Sequence, residues 1–358
     1  MTITVDCRMF DASGVGVYLR GCLPCLTNSE NNFLLLGNAE ELRNFSLKPN
    51  VKVVDCTVKP FSPKEMVFFP GKIKKAINKT DIYYSPFFNI PHGIKIPIFT
   101  TIHDIIFPDM PEITSKAGLF IRMLFFRRAY RKSHGIFTVS EFSKSRIEYH
   151  LGTEKEIIVA NSALGQMFLD YRMNAESIEK QNTIIFIGNI KKHKGLECLL
   201  DAFAAARNEG LQYKLIIVGS KDSFRTFDNA VMQKAERLVD SVVFTGFISD
   251  EELMERLASA SLLVQPSLYE GFCLPPLEAL SLGTCALISD IPVLKEVYAD
   301  FPVTFFKTGD STSLKEKLLE LLTGGNQVSP VLPEKLLRKY TFEKTVAKIM
   351  KHIGQTQQ

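Results

Sequence analysis

The sequence lacks the features that mark membrane-spanning, repetitive or disordered chains. It contains no run of about 18 uncharged apolar residues, so we expect no transmembrane helix. It shows no internal repeat with a period of roughly 20–50 residues and no low-complexity tract. Residues 1–8 carry early charges, which predicts a strand rather than a signal peptide.

Three chemical patterns are also missing. No Asp-x-Asp motif is present, so we expect no metal cofactor. The pair Gly14 and Gly16 lacks the third glycine of the dinucleotide fingerprint, which argues against NAD. Cys22 and Cys25 have the spacing of a zinc half-site, but no second Cys/His pair accompanies them, so we interpret them as core residues of a helix. The seven scattered cysteines, an odd number, predict reduced thiols in a cytoplasm.

The positive charge is concentrated in the first part of the chain. The formal net charge is +4, yet residues 1–150 alone carry 20 Lys and Arg against 13 Asp and Glu. Within them, residues 51–150 hold 16 basic and 8 acidic residues. This asymmetry bears on binding partners rather than on the fold.

Short β-branched apolar runs alternate with helical patterns along the chain, which predicts an α/β protein with two doubly wound parallel sheets. The length of 358 residues suits two domains. We place the boundary in the polar stretch Leu169–Asn182. The predicted parts are an N-terminal domain (1–168), a C-terminal domain (169–333) and a terminal helical segment (334–358). The predicted strands are Thr2–Asp6, Phe33–Leu36, Val51–Val54, Ile82–Tyr84, Ile98–Ile102, Gly135–Val139, Thr183–Ile187, Lys214–Val218, Ser241–Thr245, Leu262–Gln265 and Ala286–Ser289.

The most informative segment is the string E-G-F-C-L-P-P-L-E-A, residues 270–279. It follows an apolar run that predicts a buried strand and precedes a helical pattern, so Glu270 is expected in a loop and Glu278 about one turn into a helix. A helix that begins here is expected to offer unpaired N–H groups to an anion such as a diphosphate. A surface glutamate pair around an ordinary strand-to-helix turn is the alternative.

This string resembles the E-x7-E pattern of retaining glycosyltransferases of family 4. The resemblance implies the GT-B fold, in which two Rossmann-like domains face a cleft and the last helix crosses back onto the N-terminal domain. It also implies that Glu278 binds ribose hydroxyls and that Glu270 binds sugar hydroxyls together with the backbone N–H groups of Phe272, Cys273 and Leu274.

A second segment, G-N-I-K-K-H-K-G at residues 188–195, runs from a strand through a lysine-rich loop. Ammonium groups there can neutralise a diphosphate without a metal ion. The segment resembles the phosphate loop of the same family, and Lys194 matches the lysine that contacts the diphosphate. Asn189 stands where many relatives carry Arg, which leaves open whether a second cation reaches the phosphates; Lys191 or Lys192 could substitute for it. A solvated basic loop is the alternative.

Two segments of the N-terminal half resemble further parts of the family pattern. The string S-G-V-G-V-Y places Gly14 and Gly16 where relatives approach the donor phosphate and the acceptor. The string T-I-H-D ends a predicted strand at His103, which in relatives touches the donor sugar near its reacting carbon. A buried histidine satisfied by a neighbour is the alternative, and Asp104 can cap the loop or orient that histidine.

Turns at the ends of two C-terminal strands resemble the nucleobase edge of the family. These are Gly219-Ser220 and Gly246-Phe247, and ordinary structural turns explain them equally well. Ser140 after another strand suits a helix N-cap, which is role enough for it.

The resemblance implies an enzyme that moves a sugar from a nucleotide diphosphate to an acceptor hydroxyl with retention of configuration, without a metal or a protein general base. GDP-mannose is favoured weakly as donor, and UDP-sugars stay open. The alternatives are a GT-B epimerase or phosphorylase, and a non-catalytic sugar-nucleotide-binding protein.

Residues 116–132 form a helical, basic and aromatic segment. With Lys72, Lys74, Lys75 and Lys79 it suits either an anionic membrane surface or ordinary inward packing of its apolar side chains. A membrane surface would fit a lipid-linked or glycan acceptor, as in bacterial cell-surface polysaccharide synthesis, and a location at the inner face of the cytoplasmic membrane. No nucleic-acid-binding module is present, so nucleic acid is not an expected partner.

Overall fold

The computed structural model describes residues 1–174, 178–219, 229–324 and 330–355. The chain divides into two compact units, one formed by Met1–Gly165 with Tyr340–Gln358 and the other by Gln166–Lys339. The division therefore falls ahead of the polar stretch in which the boundary was expected. Residues Gln166–Asn174 form a helix of the second unit, so the first residues of the polar stretch belong to that unit. Residues 175–177 lie outside the described part.

The first unit is built on a parallel sheet of seven described strands in the order β3-β2-β1-β4-β5-β6-β7. Its strands are β1 (Thr2–Asp6), β2 (Asn32–Gly37), β3 (Val51–Asp55), β4 (Ile82–Ser85), β5 (Ile98–Thr101), β6 (Gly135–Thr138) and β7 (Ile157–Val159). Its helices are α1 (Ser13–Thr27), α2 (Arg43–Ser46), α3 (Pro63–Val67), α4 (Gly71–Ile77), α5 (Ile106–Asp109), α6 (Lys116–Lys132), α7 (Glu141–Leu151) and, from the end of the chain, α16 (Phe342–Gln355). A 3₁₀ turn spans Pro111–Ile113.

The second unit is built on a parallel sheet of six described strands in the order β10-β9-β8-β11-β12-β13. Its strands are β8 (Gln181–Ile187), β9 (Lys214–Val218), β10 (Val242–Gly246), β11 (Ala260–Gln265), β12 (Cys285–Ser289) and β13 (Thr304–Phe306). Its helices are α8 (Gln166–Asn174), α9 (Leu196–Asn208), α10 (Asn229–Glu236), α11 (Asp250–Ser259), α12 (Pro275–Ser281), α13 (Pro292–Val297), α14 (Ser311–Thr323) and α15 (Glu334–Leu337). A 3₁₀ turn spans Lys192–Lys194.

All eleven strands expected from the sequence are confirmed, with ends that differ by a residue or two. Two further strands, β7 and β13, were not predicted from the sequence. Each has three residues and lies at the edge of its sheet, where half of the hydrogen-bonding partners and much of the apolar burial are absent. Ser140 is confirmed as the N-cap of α7, since its hydroxyl accepts a hydrogen bond from the Ser143 N–H.

The pattern of the terminal segment suggested one long helix, but the segment forms two helices. It breaks between α15 and α16, where the Thr341 hydroxyl accepts a hydrogen bond from the Lys344 N–H at the start of the second helix. Helix α16 packs against α1 of the first unit. A Cβ atom at Gly21 of α1 would lie 2.0 Å from the Phe342 ring, so glycine is needed at this crossing.

The order of the second sheet determines where a ligand can bind. Strand β8 lies between β9 and β11, and the chain leaves β8 toward one side and β11 toward the other. In an open parallel sheet of this kind the loops after these two strands diverge and leave a crevice at their carboxyl ends. Among the described helices, none combines the length and the apolar character needed to cross a bilayer.

The loops after β8 and β11 are held against each other by backbone contacts. The Leu268 N–H donates to the His193 carbonyl oxygen at 2.7 Å. Gly195 has a φ of +67°, and a Cβ atom on it would lie 1.9 Å from the Pro266 carbonyl oxygen. Two features therefore require glycine at this position: the left-handed backbone and the close approach of the second loop.

We expect Gly195→Ala to lower the free energy of unfolding by about 2–4 kcal/mol, because left-handed strain and a backbone clash add together. Gly246→Ala is the matched control: Gly246 has a φ of +74° but no atom within 4 Å of the added Cβ. The control should lose only about 1–2 kcal/mol. Urea unfolding of both variants measures the difference, and equal losses would show that the loops do not approach each other in this way.

Candidate active site

The second unit brings two of the predicted site residues into direct contact. The Lys194 Nζ atom lies 2.6 Å from Oε1 of Glu270, and both side chains are mostly buried. Lys194 ends the 3₁₀ turn after β8, and Glu270 lies in the loop after β11, so the ion pair joins the two loops of the crevice. A salt bridge between separately positioned loops fixes both charged groups at one place.

Glu270 is held in its ionised form by its neighbours. Burial alone would raise the pKa of this carboxyl, but the Lys194 ammonium and a hydrogen bond from Ser267 outweigh burial and lower it. The Ser267 hydroxyl donates to Oε1 of Glu270 at 2.7 Å and accepts from the Gln265 Nε2 at 3.0 Å. Sequence reasoning missed Ser267 and Gln265. A detectable signal was present, because both are polar: Gln265 ends a strongly apolar strand and Ser267 follows it closely.

The loop that follows Glu270 contains a strained residue. Cys273 adopts a φ of +74°, a left-handed conformation that costs a residue with a side chain about 1–2 kcal/mol. The hydroxyl of Tyr298 donates to the Cys273 carbonyl oxygen at 2.5 Å. Within the described residues, the backbone N–H groups of Cys273 and Leu274 have no hydrogen-bond partner. Two adjacent donors thus remain for a ligand next to the ion pair.

The start of α12 does not offer the unpaired N–H groups expected from the sequence. Its first two residues, Pro275 and Pro276, have no N–H. The third, Leu277, donates to the Leu274 carbonyl oxygen at 2.9 Å and lies 3.1 Å from the Tyr298 hydroxyl. The donors available to an anion belong to the loop before the helix and not to the helix itself.

Glu278 lies in the first turn of α12, as expected, and is 7% exposed. Burial, followed by the nearby Asp250 carboxylate, raises the pKa of Glu278 to about 7. Asp250 begins α11, so the turn between β10 and α11 lies near Glu278. No described residue forms a hydrogen bond with the Glu278 carboxyl group, which leaves it able to accept hydrogen bonds from hydroxyl groups.

The other predicted positions of this unit lie in turns. Asn189 follows Gly188 at the end of β8, and a Cβ atom at Gly219 would lie 2.1 Å from the Gly188 carbonyl oxygen, so the turns after β8 and β9 touch. Phe247 directly follows β10 and is 90% exposed. Ser220 lies outside the described residues.

In the first unit, His103 is fixed by two neighbours. Its Nε2 atom lies 2.8 Å from the Pro86 carbonyl oxygen, and its ring meets the Tyr18 ring edge-on with centroids 4.8 Å apart. Burial lowers the pKa of His103 to about 4, against the opposing effect of the Pro86 bond. Because a carbonyl oxygen only accepts, Nε2 carries the proton and Nδ1 is an acceptor. The Asp104 carboxylate accepts a hydrogen bond from the Ile106 N–H at 3.1 Å, just before α5.

The glycines of the first unit differ in what their lack of a side chain permits. A Cβ atom at Gly16 would lie 2.4 Å from the Phe10 carbonyl oxygen, so any side chain here would clash with the preceding backbone. Gly14 has open space around the corresponding position. Both lie in α1, whose Tyr18 contacts His103, so the three predicted residues of this unit belong to one local arrangement. The ion pair, the loop after β11 and Glu278 belong to the other unit.

The raised pKa of Glu278 leads to a prediction about stability. A folded-state pKa of about 7, against an ordinary value of 4.5, means that the folded protein holds a proton which the unfolded chain releases. The stabilising effect of that proton is complete below the unfolded pKa and is lost as the pH rises through about 7. We expect Glu278→Gln to unfold at a higher temperature than the parent protein near pH 8, with a gain of up to about 3 kcal/mol, and to match it near pH 4.

Thermal unfolding between those pH values measures the effect, with Glu251→Gln, an exposed glutamate of α11, as control. A gain that is the same at every pH would contradict the assignment.

The chain is similar to known glycosyltransferases over part of its length. The profile of the family described as "Glycosyl transferases group 1" matches residues 170–331. The O-antigen chain mannosyltransferase B of Escherichia coli is 30% identical over 234 residues, which cover 62% of this chain and 60% of the relative. The O-antigen chain mannosyltransferase RfbU of Salmonella typhimurium is 29% identical over 209 residues, which cover 55% of this chain and 53% of the relative. The match thus spans less than two thirds of either relative.

Two solved structures share the fold over almost the whole chain. The sucrose-phosphate synthase of Thermosynechococcus elongatus superposes with a TM-score of 0.73 at 16% identity and covers 99% of each chain. Anabaena HepE, solved in complex with UDP and glucose, superposes with a TM-score of 0.70 at 16% identity and covers 99% of this chain and 100% of its own. The expected GT-B fold is confirmed, and residues 170–331 are similar to the family described as group 1 glycosyl transferases.

Proposed function

We propose that this protein is a retaining glycosyltransferase that takes a sugar from a nucleotide diphosphate and transfers it to an acceptor hydroxyl. One observation carries the proposal: the Lys194–Glu270 ion pair lies beside a loop in which the N–H groups of Cys273 and Leu274 have no described partner. A cation, a carboxylate and two directed N–H donors together suit a ligand with both phosphate and hydroxyl groups.

The leaving diphosphate is stabilised by fixed charges and dipoles. When the bond between the sugar C1 and the phosphate oxygen breaks, negative charge grows on that oxygen. The Lys194 ammonium and the loop N–H groups interact with it more strongly as the charge develops, which lowers the barrier. Glu270, kept ionised by Lys194, accepts hydrogen bonds from sugar hydroxyls. We infer that Lys194 supplies the positive charge that a divalent cation supplies elsewhere.

The nucleoside part is held by Glu278 and Phe247. The carboxylate of Glu278 accepts hydrogen bonds from the two ribose hydroxyls, and the exposed ring of Phe247 offers a face for the base. GDP-mannose is the favoured donor, because two relatives are mannosyltransferases by name. The fold neighbour HepE is described with UDP and glucose, which keeps UDP-sugars as the second choice.

Retention of configuration follows from attack on the face that the diphosphate leaves. The acceptor oxygen bonds to C1 on that face, and its proton passes to the departing phosphate oxygen, so no protein base is required. His103 is neutral at physiological pH because of its pKa of about 4, and its Nδ1 can accept a hydrogen bond from a sugar hydroxyl.

We infer further that the acceptor is a glycan, or a glycan carried on a lipid, and that the first unit contacts an anionic membrane. Helix α6 buries Phe126, so part of its apolar surface packs inward. Its outer face nevertheless exposes Phe120, Ile121 and Leu124 at 62%, 52% and 49%. Arg127 and Arg131 continue the same exposed face, which places apolar and basic groups side by side as interfacial helices do.

The first experiment measures nucleotide binding and sugar transfer. We expect GDP-mannose, or failing that a UDP-sugar, to raise the melting temperature of the wild-type protein and to be consumed when a glycan acceptor is present. Transfer should persist in EDTA. Lys194→Ala should lower kcat by about a hundredfold to a thousandfold, the usual loss for one donor to a developing charge.

Lys214→Ala is the matched control, because Lys214 is an exposed lysine at the start of β9, away from the loops at the carboxyl ends of the strands; its effect should be small. If Lys214→Ala costs as much as Lys194→Ala, the loss reflects general charge and the assigned role of Lys194 is wrong. Consumption of donor without acceptor would indicate an epimerase or phosphorylase. Binding without turnover on any acceptor would indicate a non-catalytic binding protein, and a melting temperature that no nucleotide changes would refute the proposal.

A separate experiment tests the membrane contact. We expect the protein to sediment with vesicles that contain phosphatidylglycerol and to be released by salt, since each basic residue near an anionic surface contributes about 1 kcal/mol. Phe120→Ser should weaken the partition about tenfold through lost apolar burial. Phe247→Ser, which removes an exposed phenylalanine of the other unit, should leave it unchanged. Equal losses in both variants, or no sedimentation, would refute the contact.

A further inference from the structure

We propose that Tyr298 is a positioning residue of the donor site, and that its hydroxyl group fixes the direction in which the Leu274 N–H points. This inference deepens the proposed function and rests on it for the identity of the ligand.

Tyr298 connects two parts of the chain that sequence separation keeps apart. It directly follows α13 and is fully buried. Its hydroxyl donates to the Cys273 carbonyl oxygen at 2.5 Å and accepts from the Leu277 N–H at 3.1 Å. One hydroxyl group therefore connects the loop after Glu270 to the first turn of α12. Sequence reasoning gave no indication of this contact, since 25 residues separate Tyr298 from Cys273.

The geometry of the peptide bond turns this contact into control of a donor. In a trans peptide the C=O of one residue and the N–H of the next point in opposite directions. The Cys273 carbonyl points toward the buried Tyr298 hydroxyl, so the Leu274 N–H must point away from it. That N–H has no partner among the described residues. Its direction is thus set by a bond on the far side of the same peptide.

The backbone at Cys273 favours a different arrangement. Its φ of +74° is unfavourable for a residue with a side chain, so a bond that holds the carbonyl is needed to maintain it. Without the hydroxyl of Tyr298, the chain can rotate about the N–Cα bond of Cys273 toward a negative φ, which relieves the strain and moves the Cys273 carbonyl. The Leu274 N–H belongs to the same peptide group, so its direction would change as well. The neighbouring Pro275 and Pro276 cannot replace it as donors, because neither has an N–H.

The kinetic test uses Tyr298→Phe, which removes only the hydroxyl group. We expect the KM of the nucleotide-sugar donor and the Ki of the nucleoside diphosphate to rise by about tenfold, as for the loss of a hydrogen bond to a charged group. The acceptor KM should stay unchanged. A purely structural role would lower stability without this selective effect on the donor.

The matched control is Tyr130→Phe in the first unit. The Tyr130 hydroxyl likewise donates to a carbonyl oxygen, that of Gly152 at 2.9 Å, and accepts from the Lys155 N–H at 3.1 Å. It is 5% exposed. We expect this variant to lower the melting temperature and to leave both donor constants unchanged. Similar donor constants in Tyr298→Phe, Tyr130→Phe and the wild-type protein would overturn the proposal.

A second readout does not depend on any ligand. Cys273 is 8% exposed, so we expect its thiol to react slowly with iodoacetamide in the wild-type protein. Peptide mass spectrometry can follow this site against Cys285, a partly buried thiol of β12 in the same unit, which reports unfolding of that unit. In Tyr298→Phe the Cys273 rate should rise by about tenfold relative to Cys285. An unchanged ratio would show that the hydroxyl does not hold the loop, even if no nucleotide binds and the proposed function itself fails.

A rescue experiment identifies the cause as backbone strain. Glycine adopts positive φ without a steric penalty, so Cys273→Gly removes the tendency of the loop to rotate. Added to Tyr298→Phe, it should recover most of the lost donor affinity, so that the two changes are not additive. Additive losses would mean that Tyr298 acts otherwise than through the conformation at Cys273, and the proposal would be wrong.

Discussion

The ion pair between Lys194 and Glu270 is the interaction on which the architecture of the candidate site depends. Each residue comes from a different loop, and the loops follow two adjacent strands of the second sheet. Gly195 permits the close approach of these loops. The Ser267 hydroxyl donates a second hydrogen bond to the Glu270 carboxylate. Burying a single charged lysine or glutamate to this extent would cost desolvation free energy. Each of the two side chains lowers that cost for the other.

Two other residues of the second unit have conformations or environments that lower the stability of the fold. Glu278 is buried with a raised pKa and without a described hydrogen-bond partner. Cys273 has a left-handed conformation although it has a side chain. Cys273 lies three residues and Glu278 eight residues after Glu270 of the ion pair. Unfavourable groups of this kind persist where the surrounding structure holds them in place, and their accumulation at one crevice is a physical argument for function that does not depend on sequence similarity.

Much of the architecture could be predicted from the sequence, because parallel strands buried on both faces have strongly apolar sequences that stand out from their helices. The positions of Lys194, Glu270 and Glu278 in a loop, a loop and a first helical turn were predictable from local strings, and the structure has them there. The three-residue edge strands were not predictable, because their apolar signal is too short. The role of Tyr298 was not predictable either, because a hydrogen bond to a backbone carbonyl depends on how distant segments pack and leaves no pattern in either segment.

The two adjacent prolines at the start of α12 have a consequence for selectivity. Proline fixes φ, so the stretch of chain between Glu270 and Glu278 has little freedom to lengthen or shorten. The backbone between the two residues is therefore restricted before any ligand arrives. Under the proposed function, a compound whose sugar and ribose hydroxyls are spaced by one diphosphate would engage both carboxyl groups without ordering this backbone, whereas a monophosphate or a triphosphate linkage would leave one carboxyl group unengaged.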